Sequence, residues 1–401
     1  MSDHRHTTRR FGPVLITAMA MVGWPQMIRA EGSEATIRVA TYNVAMYRER
    51  SGQLAEGLEG GADAQARKIA EVIQRVRPDL MLLCEIDYDP ANDPAVRFAE
   101  HYLSVSQQGL SPIDYPHIYQ APVNTGVPSG ADLDNDGTTD GPNDCFGFGR
   151  YPGQYGMAVL SRWPIDREAT RTFQKFLWRD MPGHRRTLLP GTKKAYYSDT
   201  AWRRFRLSSK SLWDVEIESP RGELHLICSH PTPPVFDGPE DRNGLRNADE
   251  IRMLVDYVTP GAGDYLVDDQ GRAGEIGEAA PFVVLGDLNA DPVDGNAILG
   301  PINALLRSPH MAGDPKPKSP GAVAASHGAP ELNVQHRSDP ALDTGDFGPD
   351  GHANLRIDYA LPSKHFKVVS SGVHWPSPGE PGSDAVKASD HRLVWVDVAL
   401  D

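Results

Sequence analysis

Short apolar runs alternate with amphipathic segments along this chain. The run FVVL at 282–285 contains no polar residue, which is typical of a strand buried on both faces of a sheet. Residues 62–76 instead repeat apolar positions every three or four residues and stop before Pro78, a pattern that predicts an amphipathic helix. The two periodicities together indicate a protein built from strands and helices.

Predicted strands outnumber predicted helices. The strands are assigned to residues 36–44, 80–84, 156–160, 215–217, 224–229, 282–285, 356–361, 366–370 and 393–398. The helices are assigned to residues 62–76, 93–102 and 241–258. Strand pairs with hairpin-like turns, interleaved with a few helices, favour an α/β sandwich of two packed sheets flanked by helices.

Four further segments show neither periodicity. We predict that they are long surface loops or insertions, at residues 107–152, 181–200, 259–280 and 309–351. The chain has no internal repeat and no linker-like stretch between two cores. We therefore expect one domain over residues 31–401.

Residues 1–30 have the pattern of an export signal. Arg5, Arg9 and Arg10 precede an apolar stretch at 11–24, and residues 28–30 fit a cleavage site. The apolar stretch is shorter than the roughly 20 residues that cross a bilayer, so we predict a signal peptide and no transmembrane segment. The mature protein is expected to be a monomer in the periplasm or secreted, and the Sec and twin-arginine routes both remain open.

Removal of this signal would make an acidic chain more acidic. The full chain has 40 Lys and Arg against 54 Asp and Glu, a net charge of −14, and losing residues 1–30 leaves 36 against 53, or −17. This net negative charge opposes non-specific binding to duplex DNA, because such binding depends on neutralisation of the DNA phosphates by Lys and Arg. It does not oppose binding of a metal cation or a small phosphate ester.

Polar side chains suited to catalysis lie at the ends of several predicted strands. They are Asn43, Glu85, His230, Asp287, Asn289, Asp358, Asp390 and His391. Ligands in α/β folds bind beyond the carboxyl ends of strands, so we expect these side chains to share one cleft. Taken alone, Asp287 and Asn289 are equally typical of an Asx turn.

Seven segments carry a family resemblance. They are TYNV (41–44), PDLMLLCEID (78–87), YGMAVLSRWPI (155–165), ICSHP (227–231), VLGDLNADP (284–292), LRIDYALPS (355–363) and ASDHRLVWVDV (388–398). In this order, the set resembles the endonuclease/exonuclease/phosphatase superfamily, which has the deoxyribonuclease-I-like fold. The resemblance implies a four-layer αββα sandwich of two mixed, mostly antiparallel sheets. It also implies a divalent-metal-dependent hydrolase of phosphodiesters or phosphomonoesters.

The resemblance also implies roles for the residues at the strand ends. Asn43, Glu85 and Asp390 match family positions around a metal ion, for which we expect Mg²⁺ or Mn²⁺ with oxygen ligands. Asp287 would orient or deprotonate the attacking water, and Asn289 would donate a hydrogen bond to a phosphoryl oxygen. From the residue alone, Asn43 could also cap a turn.

Two histidines complete the predicted site. Asp358 would orient His391, fix its tautomer and favour its protonated form, which would stabilise negative charge on the phosphoryl group. His230 is predicted to be a general acid or a second phosphate contact. Without the resemblance, a histidine after a strand is more often structural.

Three basic residues are candidates for binding the substrate phosphate. Arg242 and Arg246 lie near the start of the predicted helix 241–258, where backbone N–H groups favour anions. Lys210 lies in the segment RLSSKSLWD (206–214). The alternative for the two arginines is a solvated helix face.

An acidic segment at residues 132–144 resembles the calcium loops of extracellular proteins. Asp132, Asp134 and Asp136 alternate along the chain, a glycine follows them, and Asp140 comes later. Asn143 stands where an EF-hand has its bidentate glutamate, so the motif is incomplete. The predicted ligand is a structural Ca²⁺, and the alternative is a solvated acidic turn.

These observations favour an exported, metal-dependent phosphoesterase. Its substrate could be a nucleic acid, a phospholipid headgroup as in sphingomyelinases, or a phosphorylated inositol or sugar. The rival from another class is a calcium-stabilised binding protein that retains the fold without catalysis. A zinc hydrolase is disfavoured, because the chain has no His-x-x-x-His, His-Glu-x-x-His or Cys-x-x-Cys spacing.

Overall fold

Strands make up the central layers of the molecule. The computed structural model describes Met1, residues 36–348 and residues 354–400, so the predicted signal peptide beyond Met1 lies outside the described residues. The strands are β1 (Ile37–Met46), β2 (Leu80–Ile86), β3 (His117–Tyr119), β4 (Met157–Ser161), β5 (Ile165–Thr172), β6 (Leu212–Ser219), β7 (Gly222–Ser229), β8 (Phe282–Asp287), β9 (Gly345–Asp346), β10 (Asn354–Leu355), β11 (Asp358–Pro362), β12 (Phe366–Val373) and β13 (Val394–Leu400).

Helices flank these strands. They are α1 (Gln53–Leu58), α2 (Ala64–Val76), α3 (Pro94–Phe98), α4 (Asp199–Trp202), α5 (Arg242–Tyr257), α6 (Leu299–Leu306) and α7 (Pro320–Gly328). A π-helical turn at Ala99–Leu103 continues α3. Residues 36–401 cluster as one compact unit. In the described part of the chain, no helix combines the length and the apolar character that a bilayer crossing requires.

Two mixed sheets confirm the predicted architecture. One has six strands in the order β12-β13-β1-β2-β4-β3, and the other has five in the order β11-β8-β7-β6-β5. The pairs β1 with β2 and β7 with β8 are parallel, whereas the other pairs in these two sheets are antiparallel. Strands β9 and β10 form a separate two-stranded ribbon.

The residues of β8 show why its sequence is continuously apolar. Val283 and Leu285 belong to the core between the two sheets, together with residues of β1 and β2. Phe282 and Val284 belong to a second core, in which they pack with α5 and α6. Because both faces of this strand are covered, its side chains from Phe282 to Leu285 are all apolar. On the other side of the sandwich, α2 buries its apolar face against the first core.

Strand register brings the polar strand ends to one edge of the sandwich. Asn43 pairs with Cys84, the residue before Glu85, across the parallel strands β1 and β2. Asp287 pairs with Asp358 across β8 and β11. Gly286 permits β7 and β8 to approach closely, since a Cβ atom there would lie 1.8 Å from the carbonyl oxygen of Ser229.

Several elements were not predicted. Strand β5 (IDREATRT) is largely polar because it is the edge strand of its sheet, so it has little apolar periodicity. Helix α7 lies inside the predicted loop 309–351 and consists mostly of small residues, which give only a weak amphipathic signal. The predicted helix 93–102 is divided between α3 and the π-helical turn.

Candidate active site

A buried carboxylate, Asp287, lies at the centre of the polar cluster. Its Oδ2 atom is 3.0 Å from Asn43 Nδ2, 3.4 Å from His230 Nε2 and 3.6 Å from His391 Nε2. Asn289 adjoins it, donating its backbone N–H to Asp287 Oδ1 (2.9 Å) and a side-chain N–H to the carbonyl of Pro231. The structure therefore brings together residues from four separate strand ends.

His391 is held by a second carboxylate. Its Nδ1 atom lies 2.9 Å from Asp358 Oδ2 and 3.1 Å from Asp358 Oδ1, which leaves Nε2 directed at Asp287. The backbone N–H of His391 donates to Ser389 Oγ, whose hydroxyl donates to the carbonyl oxygen of Asn43. Orientation of an imidazole by a carboxylate fixes its tautomer and favours its protonated form.

The buried groups of this cluster have strongly perturbed pKa values. Burial raises the pKa of Asp287 to about 7, and the neighbouring charge of His391 opposes part of that shift. Burial alone would lower the pKa of His391, but the charges of Asp358 and Asp287 outweigh it and raise this pKa well above its ordinary value. Burial lowers the pKa of His230 well below its ordinary value, and the positive charges of Lys210 and His391 add to the effect. The two pKa values are thus shifted in opposite directions, toward the cationic form for His391 and toward the neutral form for His230.

The neutral state of His230 distinguishes between its two predicted roles. A ring with a strongly lowered pKa does not carry the extra proton that a general acid must donate. Its Nε2 atom faces Asp287 at 3.4 Å and lies 4.0 Å from Glu85 Oε1, whereas its buried Nδ1 has no partner in the described structure. This environment favours the role of a hydrogen-bonding contact.

Glu85, Asn43 and Asp390 offer oxygen atoms suited to a hard cation. The Glu85 side chain is 22 % exposed and has no Lys or Arg within ion-pair distance among the described residues. Burial raises its pKa, the positive charges of His391 and Lys210 oppose part of that shift, and the negative charge of the exposed Asp390 adds to it. Asn43 Oδ1 accepts a hydrogen bond from the N–H of Ala45 and retains a second lone pair. A partly exposed carboxylate beside further oxygen donors fits a Mg²⁺-type ion.

A second grouping of possible metal ligands is better explained without a metal. Ligand atoms of Asp287, Asp358 and His391 lie within 4.8 Å of one another. However, Asp358 Oδ2 already accepts hydrogen bonds from Thr344 Oγ1 (2.7 Å) and from the His391 ring. A protonated imidazole here offsets one of the two negative charges, through a hydrogen bond to Asp358 and an ion-pair contact of 3.6 Å with Asp287.

The backbone is strained where two of the site residues leave their strands. Glu85 has φ = 59° and Asn289 has φ = 52°, both in the left-handed region. Asn tolerates this region, but for Glu it typically costs about 1–2 kcal/mol. Such strain persists only where surrounding contacts fix it, and it is concentrated at functional sites.

Of the three basic residues, only Lys210 adjoins the site. Its side chain is 6 % exposed and has no hydrogen-bond or ion-pair partner in the described part of the chain. Burial lowers its pKa, while the negative charges of Glu85, Glu250 and Asp287 raise it. An unpaired buried ammonium group beside these carboxylates is suited to an anionic ligand.

The structure corrects the prediction for the two arginines. Arg246 is buried, and its guanidinium donates to the backbone carbonyls of Leu207, Phe146 and Arg206. Arg242 forms an ion pair with Glu240 and lies over the ring of Tyr196. Both side chains therefore stabilise loops around α5 and are not available to a phosphate group.

Only some of the carboxylates in the acidic segment 132–144 lie close together. Carboxylate oxygens of Asp132, Asp134 and Asp136 lie within 4.8 Å of one another, whereas Asp140 is not part of the group. Asp144, the last residue of the segment, is buried and accepts hydrogen bonds from the N–H groups of Leu133 and Gly141. The loop is thus anchored from within, and three of its four predicted ligands converge.

Two positioning residues were missed by the sequence analysis. Ser389 could have been found, because it belongs to the segment ASDH that carries Asp390 and His391. Thr344 lies inside the predicted loop 309–351, where no pattern marks it. Its hydroxyl donates to Asp358 Oδ2 and accepts hydrogen bonds from the N–H groups of Ile357 and Asp358, at 3.0 Å each.

The fold and the site define an α/β sandwich with a buried carboxylate-histidine centre. The model of the endonuclease/exonuclease/phosphatase family matches residues 40–391, and the chain belongs to this family. Members of the family are hydrolases that act on phosphoesters and generally use divalent metals. No curated protein sequence matches the chain significantly.

Several solved structures are similar to this chain at low sequence identity. An endonuclease/exonuclease/phosphatase from Beutenbergia cavernae DSM 12333 is 19 % identical with a TM-score of 0.50, covering 91 % of this chain and 72 % of that one. Sphingomyelinase C from Streptomyces griseocarneus is 16 % identical (TM-score 0.43; 90 % and 99 % covered). A mannosyl-6-phosphatase from Bacteroides thetaiotaomicron VPI-5482 is 12 % identical (TM-score 0.43; 91 % and 100 % covered). This similarity concerns the fold and does not identify a substrate.

The contacts of Thr344 generate a prediction about His391. In a Thr344→Val variant, Asp358 Oδ2 would lose the hydroxyl that fixes its position, so the carboxylate could turn away from the His391 ring and stabilise the imidazolium less. The pKa of His391, measured by NMR titration, should fall toward its ordinary value. Thr344→Ser keeps the hydroxyl and should preserve the wild-type pKa. An unchanged pKa in Thr344→Val, with native thermal unfolding, would contradict the positioning role.

Proposed function

We propose that this protein is an exported hydrolase that uses a divalent metal ion to cleave a phosphate ester by attack of water. The observation that carries the proposal is the buried Oδ2 atom of Asp287, which is shared by Asn43, His230 and His391 at 3.0–3.6 Å. A carboxylate with a pKa of about 7 accepts a proton from water near neutral pH more readily than an ordinary aspartate. Its position between a neutral and a cationic imidazole supports this role.

Each neighbour of Asp287 has a distinct role in the proposal. Asp287 orients the attacking water and accepts its proton. Cationic His391, held by Asp358, stabilises the negative charge that develops on the phosphoryl oxygens. His230 and Asn289 donate hydrogen bonds to the phosphate group, and Lys210 supplies a further positive charge. Lys210 is the basic candidate that lies beside these carboxylates.

The metal ion would be held by Asn43, Glu85 and Asp390. When bound, it would neutralise charge on the phosphoryl oxygens and so lower the barrier to attack. The partly exposed carboxylate of Glu85, which has no Lys or Arg within ion-pair distance in the described part of the chain, supports this assignment. Mg²⁺ is favoured because it binds few protein carboxylates and retains places for water and phosphate. Mn²⁺ has the same ligand preference.

A protein that used this fold only for binding would not need the shifted pKa values of this cluster. The cluster holds the pKa values of its two histidines apart and raises that of the carboxylate between them. Such divergence is typical of acid/base sites. We therefore favour catalysis over a calcium-stabilised binding function. The exported location rests on the residue pattern of 1–30.

Substitution of Asp287 or His391 by Ala should lower turnover of bis-p-nitrophenyl phosphate by about 10²–10⁴-fold, the scale of a positioned acid/base group. The assay uses Mg²⁺, Mn²⁺ or a chelator, and chelation should abolish wild-type turnover. Asp339→Ala, which removes an exposed carboxylate paired with Lys318, is the matched control and should retain activity. Wild-type turnover in either site variant would refute the mechanism. Plasmid DNA, RNA, sphingomyelin and inositol phosphates in the same assay distinguish the substrate classes.

We further propose that the segment 132–144 binds a structural Ca²⁺ through Asp132, Asp134 and Asp136, supported by the convergence of their carboxylates. Chelation should lower the thermal unfolding temperature of the wild type but not that of an Asp134→Ala/Asp136→Ala variant. Refilling with Ca²⁺ should restore the wild type alone. An equal response of both proteins to the chelator would assign the stabilisation to another site.

A further inference from the structure

Two tyrosines flank the end of β2, where Glu85 lies. Tyr47 follows β1, whose Met46 pairs with Ile86 across the parallel strands. Tyr155 precedes β4 on the opposite side, where the N–H of Ile86 donates to the carbonyl of Gly156 at 3.2 Å. The strand carrying Glu85 therefore ends between two aromatic residues from its two neighbours.

The two tyrosine rings meet to form a short aromatic wall. Their centroids are 4.4 Å apart with planes inclined at 46°. Phe148 extends the wall, with its centroid 6.3 Å from that of Tyr155, and it is 53 % exposed. The exposed Phe148 ring therefore continues the aromatic surface formed by the two tyrosines.

The backbone is strained to hold the wall in place. Tyr155 has φ = 56°, a conformation that a tyrosine rarely adopts. The buried carboxylate of Asp87 fixes it by accepting hydrogen bonds from the N–H of Tyr155 (3.2 Å), the N–H of Arg48 (3.0 Å) and the hydroxyl of Tyr151 (2.7 Å). Asp87 thus anchors the segments that carry both tyrosines. Such strain points to a function for the ring that it positions.

The polar edge of the wall is open. In the part of the chain that the structure describes, neither the Tyr47 nor the Tyr155 hydroxyl has a hydrogen-bond partner. The exposed ion pair between Arg150 and Glu49 lies on the same two segments. The negative charge of Glu85 contributes, after burial, to raising the pKa of both tyrosines, in agreement with their place beside it. Apolar ring faces with unpaired hydroxyls suit a ligand that offers both C–H and hydroxyl groups.

We propose that Tyr47, Tyr155 and Phe148 form a specificity subsite that packs against the sugar ring of the phosphate ester. The proposal rests on the function proposed above, because the wall adjoins the residues assigned to the metal and phosphate. A sugar ring presents C–H groups to the aromatic faces and hydroxyls to the tyrosine edges. An acyl chain would leave those hydroxyls and the Arg150–Glu49 pair facing apolar groups, which is unfavourable. Hexose phosphates and nucleotides share the required ring.

The test measures binding in an Asp287→Asn background, so that hydrolysis does not interfere. Calorimetry with Mg²⁺ compares glucose 6-phosphate and adenosine 5′-monophosphate with acyclic glycerol 3-phosphate. We expect the two ring esters to bind more tightly, and Tyr47→Ala or Phe148→Ala to reduce that advantage by about five- to tenfold. Tyr47→Phe keeps the ring and should lose less. The two ring esters distinguish a sugar phosphate from a nucleotide as the source of the ring.

Equal binding of ring and acyclic esters would overturn the subsite, as would an equal loss for both classes in the aromatic variants. These outcomes are independent of the hydrolysis assay with bis-p-nitrophenyl phosphate. If Asp287 proves essential there and no ring preference is found, the subsite fails and the proposed function stands. If Asp287 proves dispensable while the ring preference depends on the wall, the catalytic proposal fails and the subsite stands. Circular dichroism of each variant confirms that it is folded.

Discussion

Burial of the Asp287 carboxylate is the interaction on which the site depends. An isolated charge in this position would be strongly unfavourable, and the surrounding residues reduce that penalty with hydrogen bonds and one cationic imidazole. Asn43 comes from the six-stranded sheet, whereas His230 comes from the strand beside Asp287. The carboxylate therefore links the two sheets at the edge where their strands end, and its environment determines both the geometry and the pKa values of the cluster.

A chain of hydrogen bonds supports this centre from one side. Asp358 holds His391, and Thr344 holds Asp358, while the backbone carbonyl of Thr344 accepts the N–H of Arg392. Ser389 connects the same segment to Asn43. Small displacements in these supporting residues would change the direction of the His391 ring. The geometry of the site therefore depends partly on residues that would not contact a substrate.

The strand ends were predictable from sequence because each follows an apolar run whose periodicity is plain, as in FVVL before Gly286 and Asp287. The ordered motifs then predicted that Asn43, Glu85 and His391 would converge, and the structure places them together. The sequence could not show which groups Arg246 would contact. The spacing of residues along a helix does not distinguish a buried arginine that donates to backbone carbonyls from a solvated one. Nor could the sequence reveal Thr344, whose role depends on an irregular segment brought to Asp358 by tertiary packing.

In the proposed mechanism, this cluster directs water to phosphorus with the help of a divalent metal ion. Hydrolysis of bis-p-nitrophenyl phosphate in ¹⁸O-labelled water, followed by mass spectrometry of the products, tests it most directly. If water attacks phosphorus, one ¹⁸O atom should enter the phosphoryl product, and no product should form when a chelator is present. Label in p-nitrophenol, or equal product formation with and without the chelator, would contradict it.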